Sequence, residues 1–369
     1  MGGALCTSAG AVATTAARVG HRAAAFSSIN VTFERPATAS APAFQLAGTL
    51  NIPSTSESEG SNSTRFPGVV FFSGTGPQDR DGKQGPLDLG TWELLDSLAS
   101  KGNVVLRWDD RGAGESGLPT GVQPAEMGFH DIMGDGRAAL NYLKSRGEVD
   151  PERLFLIGHS EGGLIAALLS TEFEDSVAGL VIMSSLGRNL FDVTLMQVEA
   201  GMAQLPEEAR ATNLKLQVEI QTAVREGREP DWNVIGEEMA PVVRETWEKV
   251  LPIRKWWREH FLLDTDSIYS AVKCPALVTQ GQADFQTHPD LDARRLAAAI
   301  VQGGKCIDMS LRVFSGLDHL FKPTGGRPST LEMYSEDRRV DSSFIKTLAD
   351  WIASRSVSSS EELRTCASV

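Results

Sequence analysis

Short apolar runs that alternate with segments of helical spacing constrain the fold of this chain more than any other feature. The runs are residues 68–72, 104–106, 154–157, 180–183, 275–280 and 307–314, and the helical segments are residues 92–100, 132–145, 161–170, 291–301 and 342–353. Strands buried on both faces are continuously apolar, and a helix between successive strands makes them parallel. The sequence therefore predicts an α/β fold, with a mostly parallel central sheet flanked by helices.

This alternation is interrupted once. Between residues 187 and 270 the apolar residues Leu195, Val198 and Met202 recur at helical spacing, which predicts a helical lid over the carboxyl edge of the sheet. The segment 29–52 is typical of two short strands. The predicted organisation is a leader at 1–30, an α/β core at 31–186 and 271–354, the lid at 187–270, and a disordered tail at 355–369.

The first 33 residues contain no Asp or Glu and are rich in Ala, Ser and Thr. This composition is typical of an organelle transit peptide, and a leader without a targeting role is the alternative. The sequence therefore leaves a cytoplasmic and an organellar location, mitochondrion or plastid, open. No apolar run approaches the roughly 20 residues that a membrane span needs, so no transmembrane segment is predicted.

Charge and cysteine spacing narrow the classes of partner. The net charge of −13 opposes binding to a phosphate backbone, so no nucleic-acid partner is predicted. The four cysteines do not have the spacing of a zinc site, and reduced thiols are expected. We expect no metal and no cofactor, and a small molecule as the partner. The sequence leaves a homodimer open.

The motif with the clearest chemistry is the G-x-S-x-G pattern at Gly158–Gly162, which lies between an apolar run and a predicted helix. In that position the glycines permit a sharp turn, and the turn pushes the hydroxyl of Ser160 out of the backbone. The N–H of Glu161 then lies at a helix N-terminus, where it can donate to an oxyanion. This context predicts Ser160 as a nucleophile and the Glu161 N–H as an oxyanion donor.

A serine nucleophile needs a base, and the base needs an acid that orients it. His319 follows the last predicted strand, and Asp284 follows the preceding one, in the chain order Ser–Asp–His that suits this sheet. Asp318 is the rival acid, but adjacent residues rarely have the required geometry. His159 adjoins Ser160 and is assigned to local packing, pointing elsewhere on the turn. We therefore predict His319 as the base and Asp284 as the acid.

The second oxyanion donor is expected in the glycine-rich loop that follows the run 68–72. The N–H of Thr75 is the candidate, and the N–H of Gly74 is the alternative. The charged segment Asp109–Ser116 follows the next strand. It could brace this loop or be a solvated charged loop, and the sequence leaves both open.

Together these motifs resemble the α/β-hydrolase superfamily over about residues 31–354. The loop Gly74–Gly82, with the sequence GTGPQDRDG, the D-x-R-G-x-G-x-S segment at Asp109–Ser116 and the GHSEG turn resemble a bacterial-type esterase group near the dienelactone hydrolases and serine aminopeptidases. Members of this group also have a final G-L-N-H-L-F loop. In this chain the corresponding loop is Gly316–Phe321, and Asp318 stands in the position of the asparagine. The resemblance implies cleavage of small acyl esters without a metal or an organic cofactor.

The predicted function is accordingly a serine hydrolase that cleaves carboxylic esters of small to medium acyl groups. A thioesterase or acyltransferase would use the same three residues. An aminopeptidase would need acidic lid residues to hold a free amine, and Glu237 and Glu238 are the candidates. A ligand receptor without catalysis is the alternative from another class.

Overall fold

The computed structural model describes residues 26–38, 41–54, 65–233 and 240–356. Most of the predicted leader, most of the polar loop before residue 65 and most of the predicted tail lie outside these residues. Glu237 and Glu238, the candidate amine ligands, also lie outside them.

An eight-stranded sheet forms the centre of the molecule, with the strand order β1-β2-β6-β3-β7-β8-β9-β10. From β6 to β10 all neighbouring strands are parallel. The strands of this sheet are β1 Phe26–Arg35, β2 Phe44–Pro53, β3 Phe66–Phe72, β6 Val104–Trp108, β7 Val149–His159, β8 Val177–Met183, β9 Ala276–Gly281 and β10 Met309–Phe314. Two short strands, β4 Lys83–Gln84 and β5 Leu87–Asp88, pair separately. The predicted α/β fold with a mostly parallel sheet is therefore confirmed.

The N-terminal edge of the sheet is an antiparallel hairpin. β1 pairs with β2 along its whole length, from Phe26 opposite Pro53 to Arg35 opposite Phe44. β2 is also antiparallel to β6. The leader boundary predicted at residue 30 is therefore too late, because the chain is already in a strand at Phe26. The start of β1 depends on its pairing partners on β2, such as Pro53 opposite Phe26, and not on the residues around Phe26.

Helices cover both faces of the sheet and create two separate cores. On β6, Val104 and Leu106 pack into one core and Val105 packs into the other, because successive side chains of a strand point to opposite faces. The flanking helices are α1 Thr91–Ser100, α2 Phe129–Lys144, α3 Glu161–Glu172, α9 Arg294–Gly303 and α10 Ser342–Ala353. Because the strands from β6 to β10 are parallel, their carboxyl ends lie at one rim of the sheet.

Between β8 and β9 the chain forms a helical insertion, which we define as residues 190–270. Its helices are α4 Leu190–Gly201, α5 Glu207–Glu226, α6 Ala240–Val250, α7 Arg254–Phe261 and α8 Thr265–Ser270. It has a small apolar core of its own, which includes Leu216, Ile220, Trp247 and Phe261. Every helix in the described part of the chain is too short or too polar to cross a bilayer.

Candidate active site

Ser160 lies on a strained turn between β7 and α3. Its φ of 55° and ψ of −119° place a non-glycine residue in a region that L-residues rarely adopt. The flanking glycines are required by space. A Cβ on Gly158 would lie 2.0 Å from the carbonyl oxygen of Gly162, and a Cβ on Gly162 would lie 2.1 Å from that of Phe72. The sequence therefore forms a tight strand–turn–helix that exposes the side chain of Ser160.

His319 and Asp284 form a buried hydrogen-bonded pair on the loops that follow β10 and β9. His319 Nδ1 lies 2.8 Å from Asp284 Oδ2, and only 3% and 6% of the two residues are exposed. Four further groups donate to this carboxylate: the N–H groups of Gln286 and Thr287, the hydroxyl of Thr287 and the amide of Gln280. Burial alone would raise the pKa of Asp284, but the charge of His319 and these hydrogen bonds lower it below its usual value. The carboxylate therefore remains ionised beside the ring.

Asp318, the rival acid, is turned to the other side of its loop. Its Oδ2 lies 2.7 Å from the guanidinium of Arg338. Its Oδ1 accepts hydrogen bonds from the N–H groups of Leu320 and Lys322. Asp318 thus shapes the loop that carries His319, whereas Asp284 is the carboxylate that contacts the imidazole.

His159, which the sequence assigns to local packing, contacts the residue predicted as the base. Its ring lies 4.7 Å from that of His319, and its Nε2 donates to the carbonyl of His319 at 2.9 Å. Burial and the charge of His319 lower the pKa of His159 to about 3, so the ring is neutral. His159 therefore ties the loop of His319 directly to the turn that carries Ser160. No short-range pattern reveals this contact, because it joins residues 160 positions apart.

A second support of the turn, which the sequence reasoning did not find, comes from the end of β8. The hydroxyl of Ser185 donates to the carbonyl oxygen of Ser160 at 2.7 Å. The hydroxyl of Ser160 itself makes no hydrogen bond with any residue that the structure describes. The structure thus brings Ser160, His319 and Asp284 to one rim of the sheet, while proton transfer from Ser160 to His319 stays a prediction.

The glycine-rich loop after β3 lies against the turn of Ser160. A Cβ on Gly74 would be 3.2 Å from the Cβ of Ser160, a tight contact that glycine avoids at this close approach. The carbonyl of Thr75 accepts a hydrogen bond from Gln84 at 3.3 Å, and Thr75 is exposed. The roles of the Thr75 and Glu161 N–H groups as oxyanion donors stay predictions.

The charged segment after β6 braces this loop and is not a solvated loop. Asp110 Oδ2 accepts hydrogen bonds from the hydroxyl of Ser73 at 2.7 Å and from the N–H of Gln78 at 3.0 Å. Asp109 pairs with the guanidinium of Arg80 at 2.6 Å. Burial raises the pKa of Asp110 to about 7, although the two donors lower it in part. The backbone of the predicted oxyanion loop is therefore held by two adjacent carboxyl groups.

Among the residues that the structure describes, no group of three or more His, Cys, Asp or Glu side chains could hold a metal ion. Cys274 and Cys306 are both free thiols, and the Cys306 thiol donates to the carbonyl of Cys274. The rim therefore offers a serine, an imidazole–carboxylate pair and backbone N–H groups. Such groups can carry out acyl transfer.

The fold and the position of these side chains define the class: the chain has the α/β-hydrolase fold. Comparison with known proteins agrees. The solved structure of the hypothetical protein PA2218 of Pseudomonas aeruginosa matches with a TM-score of 0.52 and 17% identity, and the match covers 90% of this chain and 95% of that one. The Pyrococcus furiosus esterase Pf2001 also matches with a TM-score of 0.52, at 14% identity, over 89% of this chain and 90% of that one. At these identities the two structures support the fold alone.

Within this class the chain resembles the esterase and serine aminopeptidase group predicted from its motifs. The family model described as serine aminopeptidase, S33, matches residues 91–225. The esterase EstD of Thermotoga maritima is 26% identical over 83% of this chain, and the proline iminopeptidase of Thermoplasma volcanium is 29% identical over 31% of it. The chain spans 65% and 36% of the lengths of these two relatives. The significance of the loop sequence at Gly74–Gly82 stays a prediction.

Proposed function

We propose that the protein is a serine hydrolase that cleaves carboxylic esters of small to medium acyl groups through a covalent acyl-enzyme. The observation that carries the proposal is the strained conformation of Ser160, on a turn that His159 ties to the loop of the buried His319–Asp284 pair. Strain of this kind costs about 1–3 kcal/mol and persists where the surroundings enforce it, most often at functional sites. A turn with only a structural role would not need a polar side chain in this conformation.

In the proposed reaction the hydroxyl oxygen of Ser160 attacks the acyl carbonyl carbon while Nε2 of His319 takes the hydroxyl proton. Asp284 holds the imidazole through Nδ1 and stabilises the imidazolium, because its lowered pKa keeps it ionised. The Glu161 and Thr75 N–H groups donate to the oxyanion. His319 then gives its proton to the leaving alcohol, and a water molecule activated by the same ring hydrolyses the acyl-enzyme.

Two observations support esters of modest size as substrates. EstD of Thermotoga maritima, which is similar over most of this chain, is named an esterase. The insertion also lies close to the nucleophile, since the indole N–H of Trp256 on α7 donates to the side chain of Glu161, the residue after Ser160. A bulky aromatic side chain at this position limits the room above the turn.

An aminopeptidase is the second candidate, because the matching family model is described as serine aminopeptidase and one relative is named a proline iminopeptidase. Such an activity would use the same nucleophile and base on an amide bond and would need a group that binds the free amine. Turnover of aminoacyl p-nitroanilides, measured beside p-nitrophenyl esters and acyl thioesters, separates peptidase, esterase and thioesterase.

The direct test is hydrolysis of p-nitrophenyl esters of graded chain length, together with labelling by a fluorophosphonate. We expect short and medium chains to turn over and the label to attach to Ser160. Ser160→Ala should abolish both reactions, since the alanine has no nucleophile. Ser170→Ala is the control, because Ser170 is a buried serine on α3 whose hydroxyl donates to the carbonyl of Ala167, away from the turn of Ser160. Full turnover by Ser160→Ala, or absence of labelling in the unmodified protein, would reject the proposal.

A further inference from the structure

The side chain of Glu161 joins the nucleophile turn to the insertion. Glu161 is the first residue of α3 and is 3% exposed. Its Oε1 accepts a hydrogen bond from the indole N–H of Trp256 at 2.8 Å and lies 3.0 Å from Nε2 of His260. Both partners are on α7. The buried carboxylate of the residue after Ser160 is thus contacted by two side chains of the insertion, Trp256 and His260.

The ring of His260 is held so that both of its nitrogens face acceptors. Its Nδ1 lies 2.9 Å from the carbonyl oxygen of Trp256, and a carbonyl only accepts. Its Nε2 lies 3.0 Å from Oε1 of Glu161, a contact without hydrogen-bond geometry. The ring packs between Trp256, at 4.1 Å, and Phe129, at 4.6 Å, and is 1% exposed. Packing and the contact at Nδ1 therefore hold the ring against the carboxylate of Glu161.

The same helix has a second anchor on the body of the molecule, away from the nucleophile. Lys255 Nζ lies 2.8 Å from Asp131 Oδ2 at the start of α2. Glu259 accepts a hydrogen bond from the backbone N–H of His130 at 2.9 Å. α7 is therefore fixed to α2 independently of Glu161, which allows the two attachments to be tested separately.

The backbone at Glu161 depends on such support more than the middle of a helix does. The first N–H groups of an α-helix have no acceptor within the helix, so hydrogen bonds of the helix itself do not fix their direction. The Glu161 N–H is one of these, and it is the proposed oxyanion donor. An oxyanion hole is effective only when its donors are aligned before the reaction.

We propose that Trp256 and His260 are positioning residues. By holding the side chain of Glu161, they fix the direction of its backbone N–H and couple this oxyanion donor to the position of the insertion. The inference rests on the proposed esterase function, and it assigns to α7 a role in the chemical step beyond covering the site.

The test compares two adjacent tryptophans of one helix. Trp256→Phe keeps an aromatic ring but removes the N–H that donates to Glu161. Trp257→Phe is the matched control, because Nε1 of Trp257 is buried and has no hydrogen-bond partner among the described residues. We expect Trp256→Phe to lower kcat about tenfold with KM changed less than about twofold, and Trp257→Phe to leave both near the unmodified values.

Affinity for a trifluoromethyl ketone, whose adduct with the serine carries an oxyanion, supplies a readout that a merely structural role would not change. Trp256→Phe should weaken this binding by the same factor as kcat. Lys255→Met removes the anchor to Asp131 and should lower the unfolding temperature without this loss of affinity. If Trp256→Phe does not fold, His260→Phe, which keeps the ring packing, is measured instead with the same expectation.

The outcomes separate the inference from the function on which it rests. An unmodified protein without turnover or labelling would overturn the esterase proposal. An active protein in which Trp256→Phe matches Trp257→Phe in kcat and in inhibitor affinity would overturn only the positioning role.

Discussion

Replacement of Asp284 by asparagine has a consequence that can be worked out from the hydrogen bonds of this side chain. Oδ2 accepts from Nδ1 of His319 at 2.8 Å, from Gln280 at 2.7 Å and from the hydroxyl of Thr287 at 2.8 Å, whereas Oδ1 accepts from the N–H groups of Gln286 and Thr287 at 2.8 and 3.0 Å. An asparagine has only one oxygen. Because the two backbone N–H groups cannot rotate away, this oxygen will face them, and the amide NH₂ will face the imidazole.

This arrangement reverses the tautomer of the base. An NH₂ group donates, so Nδ1 of His319 must accept, and the ring proton then resides on Nε2. A ring protonated on Nε2 cannot take the proton of Ser160. The same substitution in serine protease triads lowers kcat by about 10⁴, which corresponds to about 5 kcal/mol of transition-state stabilisation. We expect a loss of this size for Asp284→Asn, with KM little changed.

Initial rates on p-nitrophenyl acetate, measured with an active-site titration of folded protein, check this expectation. Asp318→Asn is the matched control, because Asp318 is an equally buried carboxylate beside His319 that pairs with Arg338 instead. It should lower the stability but leave kcat close to that of the unmodified protein. If Asp284→Asn keeps most of its turnover, or if Asp318→Asn loses as much, the assignment of the acid is refuted.

Two other substitutions test the supports of the site. Asp110→Asn removes a carboxyl group whose ionisation costs folding free energy, since its pKa rises from the usual 3.8 to about 7 on folding. This cost is absent below the unfolded-state pKa and complete above about 7. The gain of the variant in free energy of unfolding, measured in urea, should therefore be larger by about 1–2 kcal/mol at about pH 8 than at about pH 5. An equal gain at both pH values would contradict the burial argument. Gly162→Ala should destabilise the protein by about 2–3 kcal/mol or more, because its Cβ would lie 2.1 Å from the carbonyl oxygen of Phe72. Gly147→Ala is the control, since a Cβ there would have nothing within 4 Å. Equal unfolding midpoints of the two variants would contradict the steric account.

The inner parallel strands could be predicted from local sequence because they are buried on both faces and are therefore largely apolar, whereas β10, at the edge, is partly exposed. The exact start of the N-terminal edge and the two shortest strands could not. β1 begins at Phe26 because residues of β2 pair with it, and β4 and β5 have two residues each, too few for a periodic pattern. α9 begins at Arg294, later than predicted, because the π-helical turn Pro289–Ala293 precedes it.

The candidate site likewise has a part that the sequence predicts and a part that it does not. Ser160, Asp284 and His319 are predicted as candidates from their positions after strands, because a parallel sheet brings the carboxyl ends of its strands to one rim. The contact of His159 with the His319 carbonyl and that of Trp256 with Glu161 were not found. Both depend on the direction of side chains across long sequence separations, on which spacing along the chain carries no information.

The hydrogen bond from His159 to the His319 carbonyl also bears on how the protein comes into being. During synthesis the turn of Ser160 and its flanking strands leave the ribosome with the insertion still to be made, and the loop of His319 follows only after β10. A nascent chain that ends before this loop has a serine without its base and therefore cannot cleave an ester by the proposed route. By the proposed route, hydrolysis would begin only when the loop after the last strand of the sheet has been added, which would link its onset to the final stage of assembly.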